Sequence, residues 1–301
     1  MEYKAFEEFC DLSKIEYCKN ESMKLHTSFK IGGEADLFVT VHTEKELREV
    51  IIKAKSLGIP YFVLGKGSNL LVSDKGIEGI VINLSFLDSI SVDGECIKAG
   101  AGATLAAVCN VALEHSLSGL EFAFGIPGSV GGAIYMNAGA YGGEMSHTVV
   151  SAEYITDDRE IKTVSIEDME LGYRTSIFKK GGMIVTSVTF KLESSDKAEI
   201  KAKMCDFIER RKSKQPLEYP SAGSTFKRPE GYFAGALIEK NGLKGRSVGA
   251  AQVSEKHAGF VINTGEATCS EVLKLIDEIK KTVKDADNVE LETEVIFVGR
   301  K

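Results

Sequence analysis

The 301-residue chain has six cysteines (Cys10, Cys18, Cys96, Cys109, Cys205 and Cys269) and no CxxC pair among them. That spacing speaks against a zinc ribbon or a disulfide framework and predicts reduced, mostly buried thiols in a cytoplasmic protein. The five histidines stand far apart with no HExxH-like spacing, so no metal site is expected. No apolar run approaches the ~18 residues of a membrane span. The N-terminal MEYKAFEEFCDLSK is mixed and acidic, unlike a signal peptide. Basic excess is missing too: the net charge is −7, which disfavours a nucleic-acid partner. Internal repeats and low-complexity segments are absent. The dinucleotide fingerprint GxGxxG is absent as well, because Gly65-Lys66-Gly67 and Gly100-Ala101-Gly102 each lack the third glycine. No GxxxxGK[ST] occurs, which disfavours a P-loop kinase or ATPase.

Glycine, by contrast, is concentrated. GIPGSVGGAIYMNAGAYGG, from Gly125 to Gly143, holds seven glycines in nineteen residues. Glycine costs backbone entropy and packs nothing, so this density fits a backbone that approaches something large and flat or phosphorylated. A second cradle, Gly65-Lys66-Gly67-Ser68-Asn69-Leu70, follows the β-like run YFVL. Consecutive N–H groups in such a turn form an anion-binding concavity, to which Ser68 and Asn69 can add donors. An ordinary strand-to-strand turn explains this second stretch about as well. Together the two stretches suggest a bound dinucleotide.

With 43% hydrophobic and 27% charged residues, the composition is that of a globular protein large enough for two or three lobes. Thr43 to Gly58 reads as a helix with a capping box of Thr43 and Glu46 and an apolar stripe of Leu47, Val50, Ile51 and Ala54. Strands are expected at Tyr61–Leu64, Leu70–Val72, 79–83, 96–99, Val149–Thr156 and 183–192. Helical pieces are expected at 104–115 and near 129–136. Residues 196–212 form a charged amphipathic helix carrying Ile200, Met204, Phe207 and Ile208, and 212–219 reads as a hinge. A last lobe holds helices at 232–241 and 268–284, the latter capped by Thr268 and Glu271. Residues 289–298 read as one strand of period two, with Val289, Leu291, Val295 and Phe297 on one face and Glu290, Glu292, Glu294 and Ile296 on the other. A solvated acidic face explains that pattern, and the pattern does not choose Glu294 over Glu292.

Seven stretches occur in an order that is highly specific: HTSFKIGGEADLFV (26–39), VLGKGSNLLV (63–72), FAFGIPGSVGGAIYMNAGAYGGE (122–144), GYRTSIFK (172–179), PSAGSTFKRP (220–229), VSEKHAGFVIN (253–263) and LETEV (291–295). From about His26 to the C-terminus the chain closely resembles the UDP-N-acetylenolpyruvoylglucosamine reductase family, flavin enzymes of peptidoglycan precursor synthesis. The resemblance implies an α+β, vanillyl-alcohol-oxidase-type FAD-binding fold: flavin subdomains at 1–84 and 85–210, then a substrate-binding domain at 211–301. It implies non-covalent FAD, reduced by NADPH that visits transiently, in ping-pong fashion. The implied substrate is a UDP-sugar enol ether. The implied protein is a monomer or weak dimer with no nucleic-acid or membrane partner.

Three catalytic positions carry over. Arg174 matches the arginine of YRxS, Ser224 the serine of AGSxFK, and Glu294 the C-terminal glutamate. Hydride addition to an enolpyruvate drives charge onto the carboxylate, which a guanidinium and a carboxylic acid stabilise as it develops. Glu294 must then be protonated or share a proton. A carbanion-like carbon is basic enough to take a proton from Ser224. Implied cofactor-binding positions are Gly65, Lys66, Gly67, Ser68, Asn69 and Leu70, with Ile126, Pro127, Gly128, Ser129, Gly131, Gly132, Ala133, Asn137 and Gly139. Implied substrate-binding positions are Tyr173, Lys214, Arg228 and His257. Arg228 stands where one branch of the family has asparagine, and His257 where a glutamine is expected. The 50 positions between Arg174 and Ser224 are too few for the tyrosine-bearing loop of the longer branch, so the compact type II branch is implied. The alternatives are another flavin oxidoreductase of this fold, of the alcohol or lactone oxidase type, and a non-catalytic UDP-sugar-binding regulator.

Overall fold

The computed structural model describes residues 2–156 and 160–301. Its mixed α and β elements gather into two compact units, each assembled from separated stretches of chain. One holds residues 1–18, 37–66 and 79–211; the other holds 19–36, 67–78 and 212–301.

In the first unit, the helix Glu44–Ser56 buries Leu47, Val50, Ile51 and Ala54. The Thr43 side chain accepts from the Glu46 N–H, but the Glu46 carboxylate accepts from the N–H of His42, one residue before the expected capping-box partner. After that helix, Tyr61–Leu64 pairs in parallel with Ile80 to Asn83. A five-stranded antiparallel sheet follows, in the order Ile161–Ser165, Val149–Thr156, Met183–Lys191, Cys96–Gly100, Ile90–Asp93. Its middle strand has buried residues on both faces, the polar Thr186 and Ser187 among them, and Val188 stands opposite both Ala99 and Ala152. The helix Val130–Tyr135 packs on that middle strand, which seats the glycine-rich segment against the sheet.

The second unit is built around the helix Cys269–Asp287. Val272, Leu275, Ile276, Ile279 and Val283 form its buried stripe, each side chain contributing about 1.5–3 kcal/mol on burial. Thr268 and Glu271 form the expected capping box. Asp74, far away in sequence, adds a second cap by accepting from the Cys269 and Ser270 N–H groups. The helix ends where Asn288 turns left-handed at φ 53°. Against it lies a three-stranded antiparallel sheet, Ser247–Val248, Ala251–Val253 and Val261–Asn263.

Three further expectations need correction. Residues 289–298 do not form one strand: only Ile296–Val298 is regular, paired in parallel with Leu70–Val72, while Thr293 makes a single bridge to Phe226. Alternating side chains need a continuous partner to become a strand, and here the partner changes midway. Consequently Leu291 and Val295 are buried but Phe297 is 39% exposed. The amphipathic helix runs Lys197–Lys214, which takes residues 212–214 out of the expected hinge. Three of the six thiols are not buried: Cys18 and Cys205 are exposed and Cys96 is half-buried.

Candidate functional site

In the first unit the glycine-rich segment is shaped by backbone proximity. Ser129 caps the helix Val130–Tyr135, its hydroxyl accepting from the Gly132 N–H at 3.4 Å. A Cβ on Gly65 would lie 2.4 Å from that same hydroxyl, so only glycine lets the turn after Tyr61–Leu64 come this close. Gly131 meets Ala101, and a Cβ on Gly139 would fall 2.7 Å from the Gly143 carbonyl. Much of the glycine density is therefore explained by the chain packing on itself. Gly132 differs: it is exposed, and a Cβ there would meet only Ser129 Oγ, at 3.4 Å. Beside it Pro127 is exposed and Ile126 and Gly128 are half-buried, whereas Ala133 is buried. This leaves an apolar, glycine-lined face beside Gly132, which suits a flat ring; the N–H groups of Gly128, Val130 and Gly131 are bonded to the Ile126, Ala103 and Ala101 carbonyls.

Asn137 has a left-handed backbone (φ 42°) and a fully buried side chain. Its amide nitrogen donates to Glu144 Oε1 and to the Gly172 carbonyl, both at 3.1 Å, and its oxygen accepts from the Ser146 N–H. Its side-chain groups are thus engaged within the protein. The Gly172 carbonyl belongs to a tight turn in which Gly172 and Thr175 exchange N–H···O bonds. Tyr173 and Arg174 form the tip of this turn. Tyr173 is 53% exposed, and the Arg174 guanidinium lies over its ring at 5.1 Å. Arg174 is left-handed too (φ 56°), and its carbonyl accepts from Lys179 Nζ at 2.8 Å. A Ser146 hydroxyl bond, first of all, holds the Glu144 carboxyl below its usual range; Asn137 and the charges of His147 and Arg174 add to this. Lys66 is exposed. Sequence reasoning passed over Glu144 and its link to Arg174, although MNAGAYGGE contains both partners of the Asn137–Glu144 bond.

In the second unit, a Cβ on Gly67 (φ 60°) would fall 2.0 Å from the His26 carbonyl, so this turn also requires glycine. The Ser28 hydroxyl donates to the Ser68 carbonyl, and Leu70 is buried in its pairing with Ile296. Asn69 donates from its side chain to the Glu294 carbonyl at 3.1 Å, and its own carbonyl accepts from the Ile296 N–H at 2.9 Å. Hydrogen bonds flank the Phe226–Thr293 bridge: Glu294 N–H to the Thr225 carbonyl, and Lys227 N–H to the Glu292 carbonyl. The main chain of the expected acid thereby runs close to that of the expected proton donor, the Glu294 N–H being bonded to the carbonyl of the residue next to Ser224. Ser224 itself is exposed, and the preceding Gly223 turns at φ 76°.

The neighbouring acids form ion pairs. Glu292 pairs with Lys227 at 2.9 Å, which holds its carboxyl below the usual range, and Glu290 pairs with Lys284 at 2.9 Å. Glu294 is half-buried, with its main chain fixed on both sides. Among the expected substrate contacts, Lys214 is exposed at the end of its helix. Arg228 is exposed and stacks on Phe233 at 4.0 Å. Burial pushes the His257 imidazole below its usual range, and its Nδ1 accepts from the Gly259 N–H.

Comparison with known proteins matches this division of labour. Residues 35–165 match an FAD binding domain family, and residues 215–298 match the C-terminal domain of UDP-N-acetylenolpyruvoylglucosamine reductase. The UDP-N-acetylenolpyruvoylglucosamine reductase of Clostridium perfringens is 51% identical over 298 residues, covering 99% of this chain and 97% of that protein. The enzyme of Clostridium novyi is 52% identical over 290 residues, covering 96% and 94%. The crystal structure of the Thermus caldophilus enzyme superposes with a TM-score of 0.81 at 36% identity, covering 94% of this chain and 98% of that one. With α+β elements, a flavin-binding portion and near-complete coverage by these relatives, the chain belongs to the UDP-N-acetylenolpyruvoylglucosamine reductase family.

Proposed function

We propose that the protein reduces the enolpyruvyl ether of UDP-N-acetylenolpyruvoylglucosamine to UDP-N-acetylmuramate, with FAD as cofactor and NADPH as electron source. The observation that supports this reading is the main-chain bond of Glu294 to Thr225, the residue after Ser224, in a chain that also presents Arg174 at the tip of a strained turn. Bound FAD supplies a two-electron carrier between NADPH and the substrate double bond. Gly65, Lys66, Gly67, Ser68, Asn69 and Leu70 would hold its pyrophosphate. Ile126, Pro127, Gly128, Ser129, Gly131, Gly132, Ala133 and Gly139 would line its rings, with Asn137 supporting that segment from behind. The glycine-lined face around Gly132 fits such a group. The fold assignment is the vanillyl-alcohol-oxidase type, with functional divisions at 1–84, 85–210 and 211–301.

Arg174 binds the substrate carboxylate and holds the negative charge that develops on it; a planar fork suits two oxygens. Glu294, protonated, donates to the same developing charge. Ser224 Oγ gives its proton to the neighbouring carbon and is replenished from solvent, to which it is exposed. Tyr173, Lys214, Arg228 and His257 are assigned to the remainder of the substrate, the cations to its diphosphate. Six free thiols fit a reducing cytoplasm, and a monomer or weak dimer is the assigned state.

The test is anaerobic mixing of the purified holoenzyme. NADPH should bleach the flavin, and the enol ether should then restore its colour with release of UDP-N-acetylmuramate. A flavin that is bleached but not reoxidised by this substrate would overturn the assignment.

A further inference from the structure

We propose that Glu144 and Asn137 are positioning residues for Arg174, setting the direction of its guanidinium by fastening the turn that carries it. Arg174 occupies a left-handed conformation at φ 56°. A residue with a Cβ adopts this conformation only under strain, so something must hold it. The turn is held at three places. Asn137 Nδ2 donates to the Gly172 carbonyl at 3.1 Å, Lys179 Nζ to the Arg174 carbonyl at 2.8 Å, and the Ser176 hydroxyl to the Tyr135 carbonyl at 2.8 Å.

Of the three, the Asn137 bond is the one whose geometry is dictated from elsewhere. The Ser146 N–H donates to Asn137 Oδ1 at 3.0 Å, which fixes which end of the amide is the donor. Glu144 Oε1 takes the other Nδ2 proton at 3.1 Å and also accepts from the Ser146 hydroxyl. An amide with both donors and its acceptor engaged, and fully buried, has one orientation. Glu144 adds charge as well as a lone pair: its carboxylate and the Arg174 guanidinium attract one another. A fixed anion whose charge the guanidinium feels biases the fork while leaving the substrate carboxylate as its incoming partner.

The inference rests on the assignment of Arg174 to the substrate carboxylate. Its test uses Glu144→Gln holoenzyme, which keeps an acceptor for Asn137 but removes the charge. Reduction of its flavin by NADPH should match wild type. Reoxidation by the enol ether should slow by about 10- to 100-fold, as expected for misplaced reacting groups. Glu144→Asp, which keeps the charge, should recover part of the loss. In an Arg174→Ala background, Glu144→Gln should cost nothing further. An equal loss with and without Arg174, or equal slowing of both half-reactions, would overturn the positioning role. If Glu144→Gln fails to retain flavin, Ser146→Ala, which removes one donor to Glu144, carries the same comparison at smaller amplitude. Wild-type enzyme that the enol ether does not reoxidise would sink the assigned reaction, and this inference with it. Normal wild-type turnover with an unaffected variant would sink the inference alone.

Discussion

The side-chain amide of Asn69 donates to the main-chain carbonyl of Glu294 at 3.1 Å, tying the second glycine turn to the proposed acid. A loop expected to hold pyrophosphate thus also sets the backbone of a residue expected to touch substrate. Asn69→Ala removes a hydrogen bond of about 1 kcal/mol. It should weaken FAD binding and slow flavin reoxidation by the enol ether roughly five- to tenfold, with a smaller effect on reduction by NADPH. Stopped-flow traces of the two half-reactions separate these effects; equal slowing of both would deny the link to Glu294.

Ser224→Ala should leave reduction by NADPH intact and slow protonation of the substrate carbon by about 10²–10⁴-fold. Glu294→Gln keeps a hydrogen-bond donor but cannot supply a proton. Because the Glu294 N–H is bonded to Thr225, next to Ser224, the double variant should lose less than the product of the single losses. Unchanged single-turnover reoxidation in Ser224→Ala would remove the hydroxyl from the reaction.

Two adjacent glycines should respond oppositely to alanine. A Cβ on Gly131 would sit 2.9 Å from the Ala101 Cβ, so Gly131→Ala should lower the melting temperature of the flavin-free protein. At Gly132 a Cβ meets only Ser129 Oγ, at 3.4 Å. Gly132→Ala should leave the flavin-free melting temperature nearly unchanged and reduce FAD affinity. Unaltered FAD affinity in a stable Gly132→Ala protein would show that the cofactor does not approach this face.

Thiol reactivity should divide the cysteines by burial. Burial pushes Cys10, Cys109 and Cys269 up to about 12, so their thiolates are scarce at neutral pH. An alkylating reagent should label the exposed Cys18 and Cys205 first, with turnover unaffected. Peptide mapping of the labelled protein checks the order, and inactivation in step with labelling would place a thiol in the chemistry.

His257 should make stability depend on pH. Burial holds its folded value below the ordinary 6.5, so the unfolded chain binds the proton more readily. Its contribution is complete above 6.5 and is lost as the pH falls from there through the folded value. Urea midpoints measured on both sides of that pH should converge in His257→Gln relative to wild type. A wild-type dependence that survives the substitution in full would assign it to another group.

The amphipathic helices were legible because each buries one stripe at helical spacing with its cap beside it, as Thr268, Glu271 and the residues Val272 to Val283 do. Glycine clustering marked segments where the backbone packs closely, although it could not separate Gly131, packed against Ala101, from the open Gly132. The period-two pattern of 289–298 misled because alternation reports burial on one face, not an unbroken ladder.

By itself, the sequence determined local features whose causes lie within a few residues: helix stripes and caps, the short strands, the glycine turns, and through its ordered motifs the family. Tertiary structure alone decided which distant groups share a surface. Asp74 caps the helix Cys269–Asp287, Asn263 donates to the Phe29 carbonyl, and Asn69 holds Glu294. It also paired Glu292 with Lys227, and joined Glu144 to the turn of Arg174 through Asn137. Such pairings depend on chain closure over tens to hundreds of residues, and no local periodicity encodes which partner a side chain will meet.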